Sequence, residues 1–191
     1  MTTMSVAERM TAQEFIDMPE PGFGRPWNLV EGEVIVNEAQ RSHEAVQTDL
    51  HFALTSWARE QLGRGLCTFP LDVGIDDQNV FAPDVLWYRH DVAPARHDDP
   101  PYPMPDIAVE VRSPSTWRYD IGAKKAAYER HGLPELWLAD TAAEAVLVYR
   151  RSTPKAPTFD VALELTGENA LTSPLLPGFA LSVAELFPSA Q

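Results

Sequence analysis

Residues 104–116 read "MPDIAVEVRSPST", an apolar run that contains one acid and ends in a hydroxyl-rich turn. Ile107, Val109 and Val111 have the β-branched character of a strand that is buried on both faces. Side chains alternate along a strand, so Glu110 lies on the opposite face from these three residues. Because an ionised carboxylate is costly to remove from water, we expect Glu110 to have a cationic or hydrogen-bonding partner.

The segments after this strand predict a parallel crossover. A helix is expected from about Trp117 to His131, because Gly132 and Pro134 follow as a stop signal. The apolar run "ELWLAD" at residues 135–140 then reads as a second buried strand. Strand, helix and strand in this order place the two strands side by side and parallel.

The remaining chain predicts further strands and helices around this unit. Thr11 and Glu14 have the spacing of a capping box, and apolar residues at helical spacing predict a long helix from Ser42 to about Leu62. "WNLVEGEVIVNE" reads as a hairpin, "GLCTFPLDVGI" and "VFAPDVLWY" read as a second hairpin, and "AVLVYR" and "TFDVALEL" read as antiparallel edge strands. We therefore predict one α/β (mixed α+β) domain over residues 1–191, with a central mixed sheet flanked by helices. A proline-rich loop is expected at about 93–105.

Composition limits the classes of protein that the chain can belong to. Its 191 residues, 45% hydrophobic and 23% charged, are typical of one globular domain. A single cysteine, a start without signal-peptide character and the lack of a long apolar run predict a cytoplasmic protein without a membrane partner. The net charge of -13 argues against nonspecific binding to phosphate backbones, although residues 112–131 carry five basic side chains against two acidic ones.

A second acid interrupts an apolar strand in "FAPDVLWY", where Asp84 follows Pro83. The neighbouring strand could place Asp84 beside Glu110. Carboxylates that converge from adjacent strands are the ligands that Mg²⁺ prefers. Arg112, on the same strand face as Glu110, either pairs with a neighbouring acid or belongs to this site.

In the helix after Glu110, Ile121 and Tyr128 are expected to mark the face that points to the core. Two lysines lie within three or four positions of these residues, so they are neighbours of that face. Lys124 either pairs with Asp120 on the helix surface or is directed towards the two acids. The turn before the helix offers the hydroxyls of Ser113, Ser115 and Thr116 and free backbone N–H groups. These hydroxyls either help to bind an anion or simply cap the helix.

Several of these runs together resemble the Uma-two family of bacterial restriction endonucleases. The matching runs are Pro83-Asp84, "VEVRSPST" (109–116), "DIGAKKAAY" (120–128) and "GLPELWLAD" (132–140). The resemblance extends through "MTAQEFIDMPE", "LVEGEVI", His43 and "SPLLPGFALSVAELF", and so covers nearly the whole chain. It implies a restriction endonuclease-like fold of the PD-(D/E)XK superfamily.

The resemblance also implies roles for individual residues. Asp84, Glu110 and the carbonyl of Val111 would be metal ligands, with Mg²⁺ or Mn²⁺ as the cofactor. The superfamily lysine often lies two residues after the glutamate, where this chain has Arg112, and its counterpart here is Lys124 on the following helix. An arginine stays protonated and cannot act as a base, so Arg112 could only steady a phosphate.

Four residues are expected around this set as accessory groups. Asp120 and Tyr128 lie within the matching helical run. His43 or Glu44 either reaches the same cleft as an accessory ligand or is a solvated start to the long helix.

These observations favour a metal-dependent endonuclease that hydrolyses phosphodiester bonds of nucleic acid, with DNA ahead of RNA. Two other functions stay open. One is an inactive nuclease fold that serves as a DNA-binding or assembly module, and the other is a Mg²⁺-dependent hydrolase of small phosphorylated compounds. By analogy with enzymes that cut two strands, we expect a homodimer or a higher homo-oligomer.

Overall fold

The computed structural model describes residues 9–19, 27–38 and 40–187. The strands are β1 (Trp27–Val30), β2 (Glu33–Val36), β3 (Leu66–Thr68), β4 (Val73–Asp76), β5 (Asn79–Phe81), β6 (Val85–Tyr88), β7 (Ile107–Val111), β8 (Glu135–Asp140), β9 (Ala145–Arg150), β10 (Val161–Thr166), β11 (Ala170–Leu171) and β12 (Leu181–Ser182). The helices are α1 (Ala12–Ile16), α2 (Arg41–Arg59), α3 (Trp117–Tyr119), a π-helix (Asp120–Lys124), α4 (Lys125–Arg130) and α5 (Val183–Leu186).

The central sheet has six strands in the order β10-β9-β8-β7-β6-β3. β7 and β8 are parallel, whereas every other neighbouring pair in this sheet is antiparallel. The helical segment from α3 to α4 connects β7 to β8. The predicted mixed sheet with helices on its faces is therefore confirmed, and so is its parallel crossover.

A second sheet of four antiparallel strands has the order β2-β1-β5-β4. Its β1–β2 hairpin turns at Glu31 and Gly32, both of which have positive φ angles (50° and 78°). Positive φ at both central residues is what a two-residue hairpin turn needs to follow the twist of its strands. The hairpin predicted at this position is confirmed.

The second predicted hairpin is wrong in one respect. Each of its two expected strands is divided between the two sheets, so that β4 and β5 form a hairpin in the small sheet while β3 and β6 pair in the large one. The divisions fall near Pro70 and Pro83, which cannot donate a hydrogen bond to a sheet. The second division puts Asp84 at the point where the chain enters the central sheet.

Two apolar cores lie on opposite faces of the central sheet. On one face, Val109 and its strand neighbours pack with the buried side of α2, which is formed by Val46, Leu50, Leu54 and Trp57. On the other face, Ala108 packs with Tyr128 of α4. The predicted alternation along β7 is confirmed, because Glu110 shares the face of Ala108.

The crossover helix has an inward face that differs from the predicted one. Its buried residues are Asp120, Lys124, Ala127 and Tyr128, whereas Ile121 is 47% exposed. The prediction that Ile121 marks the inward stripe is wrong. The π-helical turn widens the helix at this point, and the inward positions there carry charged side chains that meet Glu110.

The proline-rich segment 93–105 contains no helix or strand, as predicted. Its second half is held against the protein, because Tyr102 forms an isolated bridge with Val73 and the Tyr88 hydroxyl donates to the carbonyl of Pro103. In the ranges that the structure describes, no helix is both long and apolar enough to cross a membrane. The extent of a single domain over 1–191, which includes residues outside those ranges, stays a prediction.

Candidate active site

Asp84 and Glu110 come together where β6 begins and β7 ends. The antiparallel register pairs Val85 with Val109, which places the two acids beside each other on one sheet face. Both carboxylates are buried, at 6% and 3% exposure. Asp84 Oδ2 accepts a hydrogen bond of 2.7 Å from the N–H of Val111, so the end of β7 holds this carboxylate in place.

Glu110 has two buried partners on the crossover helix. Lys124 Nζ lies 2.7 Å from Glu110 Oε2, and the hydroxyl of Tyr128 donates to Glu110 Oε1 at 2.8 Å. Lys124 Nζ also lies 3.1 Å from Asp120 Oδ1. Lys124 thus pairs with Asp120, but the pair is buried and does not lie on the helix surface as one alternative expected. The same ammonium also contacts Glu110, one of the two strand acids.

The π-helix brings Asp120 and Lys124 to the same inward face. Residues four apart are neighbours on a helix, so the two side chains lie one above the other. Turns of π-helix within longer helices are rare and are often found at functional sites. In this protein the turn directs two charged groups towards the sheet and leaves Ile121 in solvent.

Acids outnumber the lysine in this cluster, which affects the pKa of each group. Burial raises the pKa of Glu110 to about 8, and the charges of Asp120 and Asp84 add to this rise while Lys124 opposes it. Burial alone would lower the pKa of Lys124, but Glu110 and Asp120 outweigh it and the net shift is upward. Protons are therefore held more tightly by Glu110 and by Lys124 than in the free amino acids, because the two groups share one buried cluster.

His43 reaches the cluster, whereas Glu44 does not. His43 is 2% exposed, and its Nε2 lies 3.1 Å from Asp84 Oδ1. Burial by itself lowers the pKa of His43, but the hydrogen bond and charge of Asp84, together with the charges of Asp120 and Glu44, make the net shift upward. Glu44 is exposed at the start of α2.

The hydroxyls between β7 and the helix form a chain that ends on Asp120. Ser113 Oγ and Thr116 Oγ1 are 2.8 Å apart, and Thr116 Oγ1 donates to Asp120 Oδ2 at 3.0 Å. Ser113 and Thr116 are buried, and Ser115 Oγ accepts a hydrogen bond from the N–H of Glu38. These side chains are therefore used within the protein, and Ser113 and Thr116 face Asp120 rather than solvent.

The guanidinium of Arg112 forms an ion pair with an acid on the neighbouring strand. Its Nη1 lies 2.8 Å and 3.0 Å from the two carboxylate oxygens of Asp140, at the end of β8. Burial of Asp140 opposes ionisation, but the hydrogen bond from Arg112 and two backbone N–H groups keep the Asp140 pKa below its ordinary value. Arg112 is thus positioned at the rim of the cluster and keeps further N–H groups for another acceptor.

The cluster offers the type of ligand that a hard divalent cation takes, namely carboxylate oxygens. These belong to Asp84, Glu110 and Asp120, which come from three segments of the chain. Asp120 Oδ1 accepts no hydrogen bond from the described residues, so its contact with Lys124 is ionic. In those same residues no three His, Cys, Asp or Glu side chains are spaced to hold a metal ion together. Mg²⁺ needs only one or two carboxylates, because water and substrate phosphates complete its shell.

Two supporting residues were missed by the sequence analysis. Gln47 lies one helical turn after His43, and its Nε2 donates to the carbonyl of Asp84 at 2.8 Å. Asn37 Nδ2 lies 3.5 Å from Nε2 of His43. The spacing of His43 and Gln47 by four residues on α2 is the signal that could have identified Gln47.

Two acids from adjoining strands, a lysine from the crossover helix and a mixed central sheet define a restriction endonuclease-like arrangement. The family profile Uma2, described as "Putative restriction endonuclease", matches residues 12–184. The chain therefore belongs to the Uma2 family. No curated protein matches it.

A solved structure from Anabaena variabilis shares the fold. It is described as a "putative nuclease belonging to DUF820", with a TM-score of 0.75 and 20% sequence identity. The match covers 93% of this chain and 97% of the other. At this identity the likeness establishes the fold alone, and that fold agrees with the predicted one.

Proposed function

We propose that this protein is a metal-dependent endonuclease that hydrolyses phosphodiester bonds, with DNA as the first candidate substrate. One observation carries the proposal, namely the buried contact of Glu110 with Lys124 at the end of β7, next to the start of β6 where Asp84 lies. Membership of a family described as restriction endonucleases supports it. The nuclease description of the structural neighbour agrees with it.

The carboxylates of Asp84 and Glu110, with the carbonyl of Val111, would hold Mg²⁺ or Mn²⁺. Such an ion lowers the pKa of bound water and neutralises charge on the scissile phosphate. The protein prepares this site by fixing both acids. The Val111 N–H, His43 and the Gln47 amide hold Asp84 and its backbone, while Tyr128 and Lys124 hold Glu110.

Lys124 acts as a protonated group in this proposal. The acids around it raise the pKa of Lys124, which argues against a role as general base near neutral pH, since a base must first lose its proton. A fixed ammonium beside Glu110 can instead orient water and stabilise negative charge that develops on phosphate oxygens. Asp120 positions this ammonium, and Thr116 positions Asp120 in turn.

Contact with nucleic acid would be local in this acidic chain. Lys124 is buried in the cluster and Arg112 lies at its rim, whereas Arg118 is exposed on the helix that follows β7. Arg112 and Arg118 are therefore the accessible basic residues of the segment 112–131 that follow β7 directly. Few phosphate contacts predict binding with a shallow dependence on salt.

The test is a cleavage assay on a panel of substrates with Mg²⁺ and with Mn²⁺. The panel contains plasmid DNA, single-stranded DNA, RNA and small phosphodiesters, and it is run on the wild type, D84A and E110A. D76N is the control, because Asp76 is an acid of the small sheet that pairs with His131. We expect cleavage by the wild type and D76N, and its loss in D84A and E110A with the fold retained by circular dichroism.

The same panel separates the other two functions. Turnover of small phosphodiesters without cleavage of polymers would indicate a hydrolase of small phosphorylated compounds. Duplex binding without any turnover would indicate an inactive binding or assembly module. Cleavage that is undiminished in both alanine variants would refute the assignment of the site.

We also propose a homodimer or a higher homo-oligomer in solution. The support is a set of exposed apolar side chains on α2 and beside edge strand β3, namely Phe52, Leu62 and Phe69 at 72%, 100% and 49% exposure. Sedimentation that shows only monomer at micromolar concentration would contradict this.

A further inference from the structure

A cavity lies at the opposite end of β7 and β8 from the candidate active site. It has a volume of about 480 Å³, which falls in the range of small-molecule sites, roughly 300–1,000 Å³. Asp106, which precedes β7, and Glu135, which begins β8, line it. At roughly 3.3 Å per residue, the four steps from Asp106 to Glu110 separate the two places by roughly 13 Å.

The two acids of this cavity are already satisfied by the protein. Asp106 accepts hydrogen bonds from the backbone N–H and from Nε of Arg89, at 2.9 Å and 2.7 Å. Glu135 accepts one from Trp137 Nε1 and one from Ser173 Oγ, both at 2.7 Å. Because every carboxylate oxygen has a donor, these acids do not call for a cationic ligand.

The spare hydrogen-bonding capacity of the cavity consists of donors. Arg89 is 55% exposed, and among the described residues its guanidinium donates only from Nε. Among the same described residues, Arg150 makes one long contact, 3.5 Å from its Nη1 to the carbonyl oxygen of Thr172. A guanidinium has five N–H groups, so both arginines keep donors that a ligand can fill.

A third arginine adds positive charge at the same place. Arg151 directs its guanidinium to the carbonyl oxygens of Leu133, Glu129 and Ala156, which are neutral acceptors. Three arginine residues therefore line a cavity that has two acidic residues in its lining. In a chain with a net charge of -13, this is a local excess of basic over acidic residues.

The rest of the lining is polar at Ser152 and Thr153 and apolar elsewhere. It includes Pro134, Pro154, Val161, Pro174 and Leu175. We propose that the cavity binds a small organic anion with an apolar body, of the class of aromatic or branched carboxylates and sulfonates. The anionic group would contact Arg89 and Arg150, and the body would pack against the prolines and Leu175. This proposal does not depend on the nuclease activity proposed above.

The test uses 8-anilinonaphthalene-1-sulfonate as the probe and its uncharged counterpart N-phenyl-1-naphthylamine as the comparison. Binding is followed by fluorescence and by the amide resonance of Gly132, which lies at the cavity. R150Q removes one anion contact, V161W fills the space, and R118Q is the control at an exposed arginine outside the cavity. All variants are first compared with the wild type by circular dichroism.

We expect the sulfonate to bind once per chain and to shift the Gly132 resonance. R150Q should weaken binding of the sulfonate by about tenfold or more, because it removes a hydrogen bond between two charged groups. V161W should abolish binding, R118Q should leave it unchanged, and the uncharged probe should bind at least about tenfold more weakly. If R150Q does not fold, V161W decides the question.

Three results would overturn the proposal. One is equal affinity of the sulfonate for the wild type and V161W. Another is equal affinity of the charged and uncharged probes. The third is a set of resonance shifts that leaves Gly132 unchanged, since the probe would then bind elsewhere, for example at the exposed apolar side chains near β3.

Discussion

Replacing Lys124 by methionine removes the ammonium from the buried cluster while keeping a side chain of similar length. Lys124 and Glu110 have side-chain exposures of only 3% and 4%, and their charged atoms are 2.7 Å apart. The same ammonium is 3.1 Å from Asp120. The variant K124M therefore leaves two buried acids without their shared cation.

Removing one partner of a buried ion pair costs about 3–5 kcal/mol, because the remaining group must either stay charged without its partner or take up a proton at a pH above its ordinary pKa. We expect K124M to lose this amount of unfolding free energy at pH 8 in the presence of a chelator. Lys124 has a raised pKa and stays protonated in both states below pH 8, so the lysine itself adds no pH dependence. The acids take up protons more readily without it, so the cost should shrink as the pH falls towards 5.

Urea denaturation followed by tryptophan fluorescence measures the effect, with K125M as the matched control. Lys125 is the neighbouring lysine, and its Nζ lies 4.4 Å from the ring centroid of Tyr149, a contact that contributes about 0.5–1 kcal/mol. The double variant E110Q/K124M should be more stable than the sum of the single changes predicts, by about 0.5–3 kcal/mol. A loss below about 1 kcal/mol in K124M, or strict additivity in the double variant, would refute the reasoning.

Three further predictions concern other parts of the molecule. Y128F removes the hydroxyl that donates to Glu110 and should cost about 1.5–3 kcal/mol by urea denaturation, and a loss below about 0.5 kcal/mol would contradict that hydrogen bond. L54A, at a fully buried position of α2, should cost about 2–5 kcal/mol, whereas F52A on the exposed face of α2 should change stability by less than about 0.5 kcal/mol, and equal losses would contradict the orientation of α2. Burial raises the pKa of Glu135 above its ordinary value of 4.5. The folded protein therefore holds this proton more tightly than the unfolded chain, so the stability that Glu135 contributes is full below pH 4.5 and is lost as the pH rises through the raised pKa. In E135Q this decline of stability with rising pH should disappear, as measured by thermal unfolding at a series of pH values. Parallel pH profiles of the melting temperature for the wild type and E135Q would contradict the prediction.

Periodicity was enough to predict the elements whose packing is local to their own sequence. The parallel crossover, the first hairpin and the long helix all follow from apolar residues at fixed spacing, with stops at glycine or proline. The pairing of β3 with β6 could not be predicted in this way. Two proline-containing interruptions divide those runs between sheets, and the sequence does not state to which sheet each piece belongs.

The inward face of the crossover helix shows the same limit at the candidate site. Hydrophobic spacing assigned Ile121 to the core, because apolar side chains are usually the buried ones. The structure buries Asp120 and Lys124 instead, because the facing strand presents Glu110 and a buried acid requires a cation. The anomaly of a glutamate inside an apolar strand was visible in the sequence, but the π-helical turn that satisfies it was not.

The central claim is that Asp84 and Glu110 hold a divalent metal ion that the protein uses to cleave nucleic acid. The most direct test is the Mg²⁺-dependent rate of plasmid cleavage by the wild type, E110Q and D76N at equal, verified folding. We predict that E110Q loses about 100-fold or more in rate, as expected when a preorganised electrostatic group is removed, while D76N keeps the wild-type rate. Equal rates for E110Q and the wild type would contradict the claim.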